Sequence, residues 1–206
     1  MKNGLIISLL LLLFSCKKEE NIHIVALNPV TGEHYAGLTY YLVQQKTTSN
    51  GEENTTLKTG TLNSNGEAIF SIKLNRKHAY VIRVEEPENT CYNKSIQMYL
   101  DSPYDEDGKF TFEFAPCTNI KLNINNTNCQ GASDIMNFRS RYNYTDFQSW
   151  STDRVGCYSY LSPEFFKVPS GWRIYEWTVD RGGVVTSFKD SIYLTEGSSA
   201  TFDMNY

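Results

Sequence analysis

From Asn21 onward, apolar residues recur at every second position over short runs, and turn residues separate the runs. Period two puts successive side chains on opposite faces of a strand, so this pattern predicts β-structure, and no helical period persists over ten or more residues. The first block reads as strands over Ile22–Leu27, Leu38–Val43, Leu57–Leu62, Ala68–Leu74, Ala79–Val84, Ile96–Leu100 and Phe110–Phe114. In the fourth of these, Ala68, Phe70, Ile72 and Leu74 share one face and Ser71 and Lys73 the other. Asn63-Ser64-Asn65-Gly66 supplies the backbone freedom for the preceding tight turn.

A second block opens with alternating Ile120, Leu122 and Ile124 and ends in Trp172–Val179, Val184–Phe188, Ile192–Leu194 and Ala200–Met204. Those four segments predict a β-meander of two hairpins, with Tyr175, Trp177 and Val179 on one face. The seven short strands of the first block, in about 95 residues, match the count of an immunoglobulin-like or prealbumin-like sandwich. The expected fold class is therefore all-β, two tandem immunoglobulin-like or prealbumin-like β-sandwich domains. Ala115-Pro116-Cys117 joins them, a junction short enough to favour a stiff tandem.

The chain before Asn21 is different. Lys2 precedes an apolar run from Leu5 to Phe14, too short for a bilayer-spanning helix and fitting a secretory signal. The expected divisions are a signal over residues 1–15, a tether over 16–20, a first sandwich over 21–116 and a second over 117–206.

Length and composition agree with this plan. The 206 residues are 40% hydrophobic and 14% aromatic, enough for a buried core. A net charge of -4 excludes the basic face of a nucleic-acid binder, so no nucleic-acid partner is expected.

Leu13-Phe14-Ser15-Cys16 resembles the lipobox of bacterial lipoproteins. The resemblance implies cleavage before Cys16, lipid on its thiol and membrane association through that anchor. The following Lys17-Lys18-Glu19-Glu20 resembles the surface-export tag of Bacteroidota-type outer-membrane lipoproteins, although a solvated linker has the same composition. The implied location is the outer membrane, facing outward, with the periplasmic face as the alternative. Asn28-Pro29-Val30-Thr31-Gly32-Glu33, Ala36-Gly37-Leu38-Thr39-Tyr40, Thr59 to Ala68 and Tyr80–Val84 resemble the carboxypeptidase-regulatory and collagen-adhesin B-type domains. These are prealbumin-like sandwiches used as spacers or stalks. No lysine lies in Ile22–Leu27, so the internal isopeptide bond of the adhesin type is not carried over.

Lipid on Cys16 leaves Cys91, Cys117, Cys129 and Cys157, an even set suited to disulfides outside the cytosol. Three pairings are open. If Leu100 faces Phe110 across a hairpin, Ile96 faces Phe114 and Asn93 faces Cys117, which brings Cys91 near Cys117 and leaves Cys129 for Cys157.

Catalytic signatures are missing. His23, His34 and His78 lack metal-ligand spacing, and there is no nucleophile elbow, P-loop or dinucleotide fingerprint. The expectation is a protein that is not an enzyme and needs no cofactor. Asp101, Asp105, Glu106 and Asp107 before Gly108 form a fragment of a calcium-loop pattern, so calcium is a secondary expectation there, against a polar hairpin loop.

The second block holds 16 aromatic residues against 11 in the first. Arg139-Ser140-Arg141-Tyr142-Asn143-Tyr144-Thr145-Asp146-Phe147-Gln148-Ser149-Trp150 mixes rings with planar polar groups, which suits a sugar ring or a partner protein. Tyr142, Tyr144, Trp150, Arg139 and Arg141 are the candidate ligand-binding residues. The alternative is an irregular strand and loop whose rings cap the core. The functional expectation is a binding or adhesion module of the cell envelope, with glycan or envelope protein as partner, or else an accessory subunit of an outer-membrane complex.

Overall fold

The computed structural model describes residues 17–49, 51–75, 77–100 and 108–206. The expected signal, the expected lipidation site Cys16 and the acidic residues Asp101, Asp105, Glu106 and Asp107 lie outside the described residues. The chain is all-β, and among the described residues there is no helix. Fifteen strands follow in order: β1 Lys17–Leu27, β2 Thr39–Thr48, β3 Gly51–Thr61, β4 Glu67–Asn75, β5 Ala79–Val84, β6 Thr90–Asn93, β7 Met98–Tyr99, β8 Lys109–Asn125, β9 Asp134–Tyr142, β10 Arg154–Val155, β11 Ser159–Tyr160, β12 Phe166–Pro169, β13 Gly171–Arg181, β14 Val184–Leu194 and β15 Ser199–Asn205.

Two compact units form. The first comprises the residues up to Ala26 with Tyr35–Glu85 and Ser95–Phe112, and the second comprises Leu27–His34, Glu86–Lys94 and Glu113–Tyr206. They interleave in sequence, because short segments of the first block contribute to the second unit.

In the first unit β1 lies between β4 and the start of β8, and a second sheet runs β3-β2-β5-β7. Alternation supplies the core: Ile22 and Ile24 from β1, Tyr40 and Leu42 from β2, Ala68 and Leu74 from β4, Ile82 from β5 and Phe110 and Phe112 from β8 are buried. Phe70 stacks on Tyr40 at 5.5 Å, on the face expected for it. Strand β1 begins at Lys17, five residues before its expected start, so it includes two lysines whose side chains are not described.

The hairpin register differs from expectation. Met98 and Tyr99 pair with Ile82 and Val81 of β5, and Asn93, not Ile96, faces Phe114. Ile96 is 75% exposed. The expected register assumed an uninterrupted strand from Ile96 to Leu100, whereas the chain leaves β6 and crosses to the other sheet after Asn93. Thr90 faces Pro116, beyond a bulge, and the Cys91–Cys117 bridge forms beside it.

In the second unit the later part of β8 is flanked by β15 on one side and by β11 and β12 on the other. A second sheet runs β10-β9-β13-β14. Its buried face carries Met136, Tyr175, Trp177 and Val179, which meet Ile120, Ile124, Phe202 and Met204 of the first sheet. Tyr175 and Phe202 stack at 4.3 Å between them.

Two parts of the expected meander are corrected here. Val184–Phe188 and Ile192–Leu194 are one eleven-residue strand, because Lys189-Asp190-Ser191 keeps its ladder with β13 at a sheet edge, where polar side chains meet water. Strand β15 forms no hairpin with β14. It pairs in parallel with β8, placing Phe202 and Met204 in the core. The second bridge, Cys129–Cys157, lies in this unit. Two disulfides are the chemistry of an oxidising, extracytosolic compartment.

Candidate functional site

The outer face of the β9-β13-β14 sheet gathers the polar chemistry. The β13–β14 hairpin turns at Gly182 and Gly183, whose φ angles of 61° and 91° fit the left-handed positions of a two-residue turn. Asp180 Oδ1 accepts the Gly183 N–H at 2.7 Å. That turn sets a register in which Glu176 faces Lys189, and pairing of β13 with β9 puts Arg139 on the other side of Glu176. A cation, a carboxylate and a second cation thus form one row across three strands, and the next row is Asn137, Thr178 and Ser187.

Arg139 donates to Glu176 Oε2 from Nε at 3.0 Å and from Nη2 at 2.7 Å. Lys189 Nζ lies 3.5 Å from Oε1 of the same carboxylate. The hydrogen bonds from Arg139 hold the Glu176 carboxyl below its ordinary range; partial burial opposes them, and the charges of Arg139 and Lys189 add to the lowering. In the neighbouring row Thr178 Oγ1 donates to Asn137 Oδ1 at 2.6 Å, and Asn137 Nδ2 donates to Asp153 Oδ1 at 3.1 Å.

After β9 the chain folds back along the strand. The N–H of Gln148 donates to the Ser140 carbonyl and that of Ser151 to the Phe138 carbonyl, at 2.9 and 2.7 Å. The returning segment lays Phe147 and Trp150 over the guanidinium of Arg139, whose Cζ is 4.3 Å and 4.7 Å from their ring centres. Phe147 also covers Arg141 at 5.0 Å. Arg139 is thereby held against two rings and, at its edge, by a carboxylate. Trp150 remains 43% exposed. Beside it an open cleft of about 320 Å³ is lined by Arg139, Trp150, Glu176, Thr178, Ser187 and Lys189, with Trp177 and Phe188 beneath.

The five expected residues divide. Arg139, Arg141 and Trp150 belong to this outer face. Tyr142 and Tyr144 do not, which corrects the expectation of an exposed ring platform. Tyr142 has the inward parity of Met136 and Ser140 on β9 and is 9% exposed. Tyr144 stacks on it at 5.5 Å, packs against Tyr92 at 5.0 Å and donates its hydroxyl to the Ser170 carbonyl at 2.8 Å. Burial raises the pKa of both phenols. These two rings cap the core, while Phe147 and Trp150 lie on the outer face.

Glu176, Lys189, Thr178 and Ser187 were absent from the expected set. A signal for the first two exists in the sequence: counting back from Gly182-Gly183 places Glu176 opposite Lys189. Nothing in the sequence brings Arg139 to them. Among the described residues no group of three or more His, Cys, Asp and Glu side chains gathers in a metal-binding arrangement.

No protein-family model and no curated protein matches the chain. Solved structures similar to it include the TIE protein of Bacillus anthracis, at 10% identity and a TM-score of 0.33, covering 91% of this chain and 34% of that one. The chain therefore spans about a third of that protein's length. The shaft pilin SpaA of Lactobacillus rhamnosus GG is 10% identical with a TM-score of 0.35, over 91% of this chain and 98% of that one. GBS52, a minor pilin of Streptococcus agalactiae, is 12% identical with a TM-score of 0.32, over 90% and 94%. Likeness of this degree conveys nothing about a ligand.

Proposed function

We propose that the protein is a non-catalytic binding module of the cell envelope, held at the outer membrane by lipid on Cys16, and that it recognises a glycan on the outer face of its β9-β13-β14 sheet. The observation that carries this reading is the pairing of a half-exposed Trp150 with an Arg139 already locked by Phe147 and Glu176. A ring face offered on a fixed support binds with little loss of side-chain freedom, and sugars present C–H faces that pack on indole. The hydroxyls of Thr178 and Ser187 and the ammonium of Lys189 line the adjoining cleft, within the same patch as a stacked sugar's own hydroxyls.

A glycan array probed with the purified protein tests the reading. Binding to a defined set of glycans, lost in Trp150→Ala with unchanged thermal unfolding, is the expected result. An array without signal defeats it.

The accessory-subunit reading has its own observation. Tyr160, Leu161, Phe165 and Phe166 are each 41–66% exposed within seven residues. The loop bearing them is pinned: the Ser162 N–H donates to Asn123 Oδ1 at 3.1 Å and Lys121 Nζ to the Pro163 carbonyl at 3.3 Å. An apolar loop held rigid in water suits a protein partner. Crosslinking in intact membranes that recovers a discrete partner from the wild type and none from Leu161→Asp supports that role; no crosslinked partner removes it.

A further inference from the structure

We infer that the ligand of the Trp150 cleft is an acidic glycan, a pyranose chain bearing carboxylates, and that Lys189 is the residue that selects it; this deepens the glycan reading and depends on it. The inference follows from how the charges in the cleft are spent. Its lining holds two cations, Arg139 and Lys189, and one carboxylate, Glu176. Arg139 is largely engaged: two of its nitrogens bond to Glu176 Oε2, and its guanidinium lies over the rings of Phe147 and Trp150. Lys189 is not. Its ammonium touches Glu176 only at 3.5 Å and its side chain is 63% exposed, so most of its donor capacity points at solvent.

Glu176 would repel an anion were it unneutralised, but Arg139 balances it from within the sheet. The cleft therefore presents one unbalanced positive charge, at Lys189. Arg141, one row along β9, adds a second cation under Phe147. The carboxylate of Asp153 accepts from Asn137 in the row on the opposite side. Along β9 and β13 the row on one side of Glu176 thus holds the cation Arg141, and the row on the other side holds the hydroxyls of Thr178 and Ser187. A sugar ring packed on the exposed part of Trp150, its hydroxyls toward Ser187 and its carboxylate toward Lys189, fits that lining. A neutral sugar would use the ring and the hydroxyls and leave the charge idle.

The test compares polygalacturonate with neutral dextran by titration against the full chain, for the wild type, Lys189→Gln and Trp150→Ala, with thermal unfolding of each as a check on folding. The expected result is preference for polygalacturonate, weakened by salt as an exposed charge contact must be. Lys189→Gln should lower that affinity by at least about tenfold, the size of one binding contact of 1.4 kcal/mol. Lys189→Arg should keep most of it. Trp150→Ala should abolish binding. Equal affinity for both polymers, or no change in Lys189→Gln, overturns the acidic-glycan inference and leaves the glycan reading standing. Binding of neither polymer, with a silent glycan array, overturns both.

Discussion

Asp134 shows how single residues in the second unit carry pH dependence. Its side chain is 1% exposed. Its Oδ2 accepts from Asn126 Nδ2 at 2.9 Å and from the Gln130 N–H at 3.0 Å, and Arg181 Nε lies 3.4 Å away. Those hydrogen bonds, Asn126's first, lower its pKa, with the Arg181 charge adding to them and burial opposing. A carboxyl with a depressed folded-state pKa stabilises the fold above its unfolded value, about 3.9, and loses that contribution as pH falls through the folded value. Stability should therefore decline below about pH 4, and Asp134→Asn should flatten that part of the profile while lowering stability at neutral pH. Urea midpoints measured from pH 7 to pH 2.5 check both; an unchanged profile in the variant would show that Asp134 is not the titrating group. The same residue scale limits the Arg139–Glu176 pair. Both side chains are partly exposed, 33% and 21%, so the pair positions the site more than it stabilises the fold.

At the scale of elements, the β2–β3 pair depends on a missing side chain. Gly60 faces Tyr40 across the ladder, and a Cβ on Gly60 would lie 2.6 Å from the Tyr40 hydroxyl oxygen and 2.7–2.8 Å from the ring carbons beside it. That ring is buried and stacked on Phe70, so it cannot move aside freely. Gly60→Ala should cost about 1–3 kcal/mol through overpacking. Chemical denaturation measures it, and a loss under half of the lower figure would mean that Tyr40 has room to shift. Register is also where the sequence was half legible. The β13–β14 hairpin follows from Gly182-Gly183 and the alternating residues around it, because a two-residue turn leaves one register. The β6–β8 pairing does not follow, because the bulge after Thr90 and the departure of Met98 and Tyr99 to β5 leave no local mark.

For the whole molecule, the bridges and the lipid site can be tested independently. Cys129 and Cys157 close a span of 28 residues. Replacing both by serine should lower the stability of the second unit by roughly 3 to 4 kcal/mol on the chain-entropy account, read by denaturant unfolding of the full chain. A loss below about 1 kcal/mol would place the stabilisation elsewhere. Cys16→Ser should move the protein from the membrane fraction to the soluble fraction, with both bridges still found by non-reducing peptide mapping. Retention in the membrane would sink the lipid-anchor proposal.

Alternation of apolar and polar residues determined that this chain is all-β, because strand side chains obey period two wherever one face is buried. Turn chemistry determined where several strands end, and Cys91, Cys117, Cys129 and Cys157 made two bridges available. Tertiary structure alone decided which sheet each strand joins, that β15 runs parallel to β8, and that segments from the first block contribute to the second unit. It also decided the site: the Arg139 row exists because strands far apart in sequence become neighbours. Parity on β9 turned Arg139 and Arg141 outward and Tyr142 into the core. Which members of a mixed run of rings and arginines face the solvent depends on strand pairing, and pairing is set by contacts between residues that no local pattern connects.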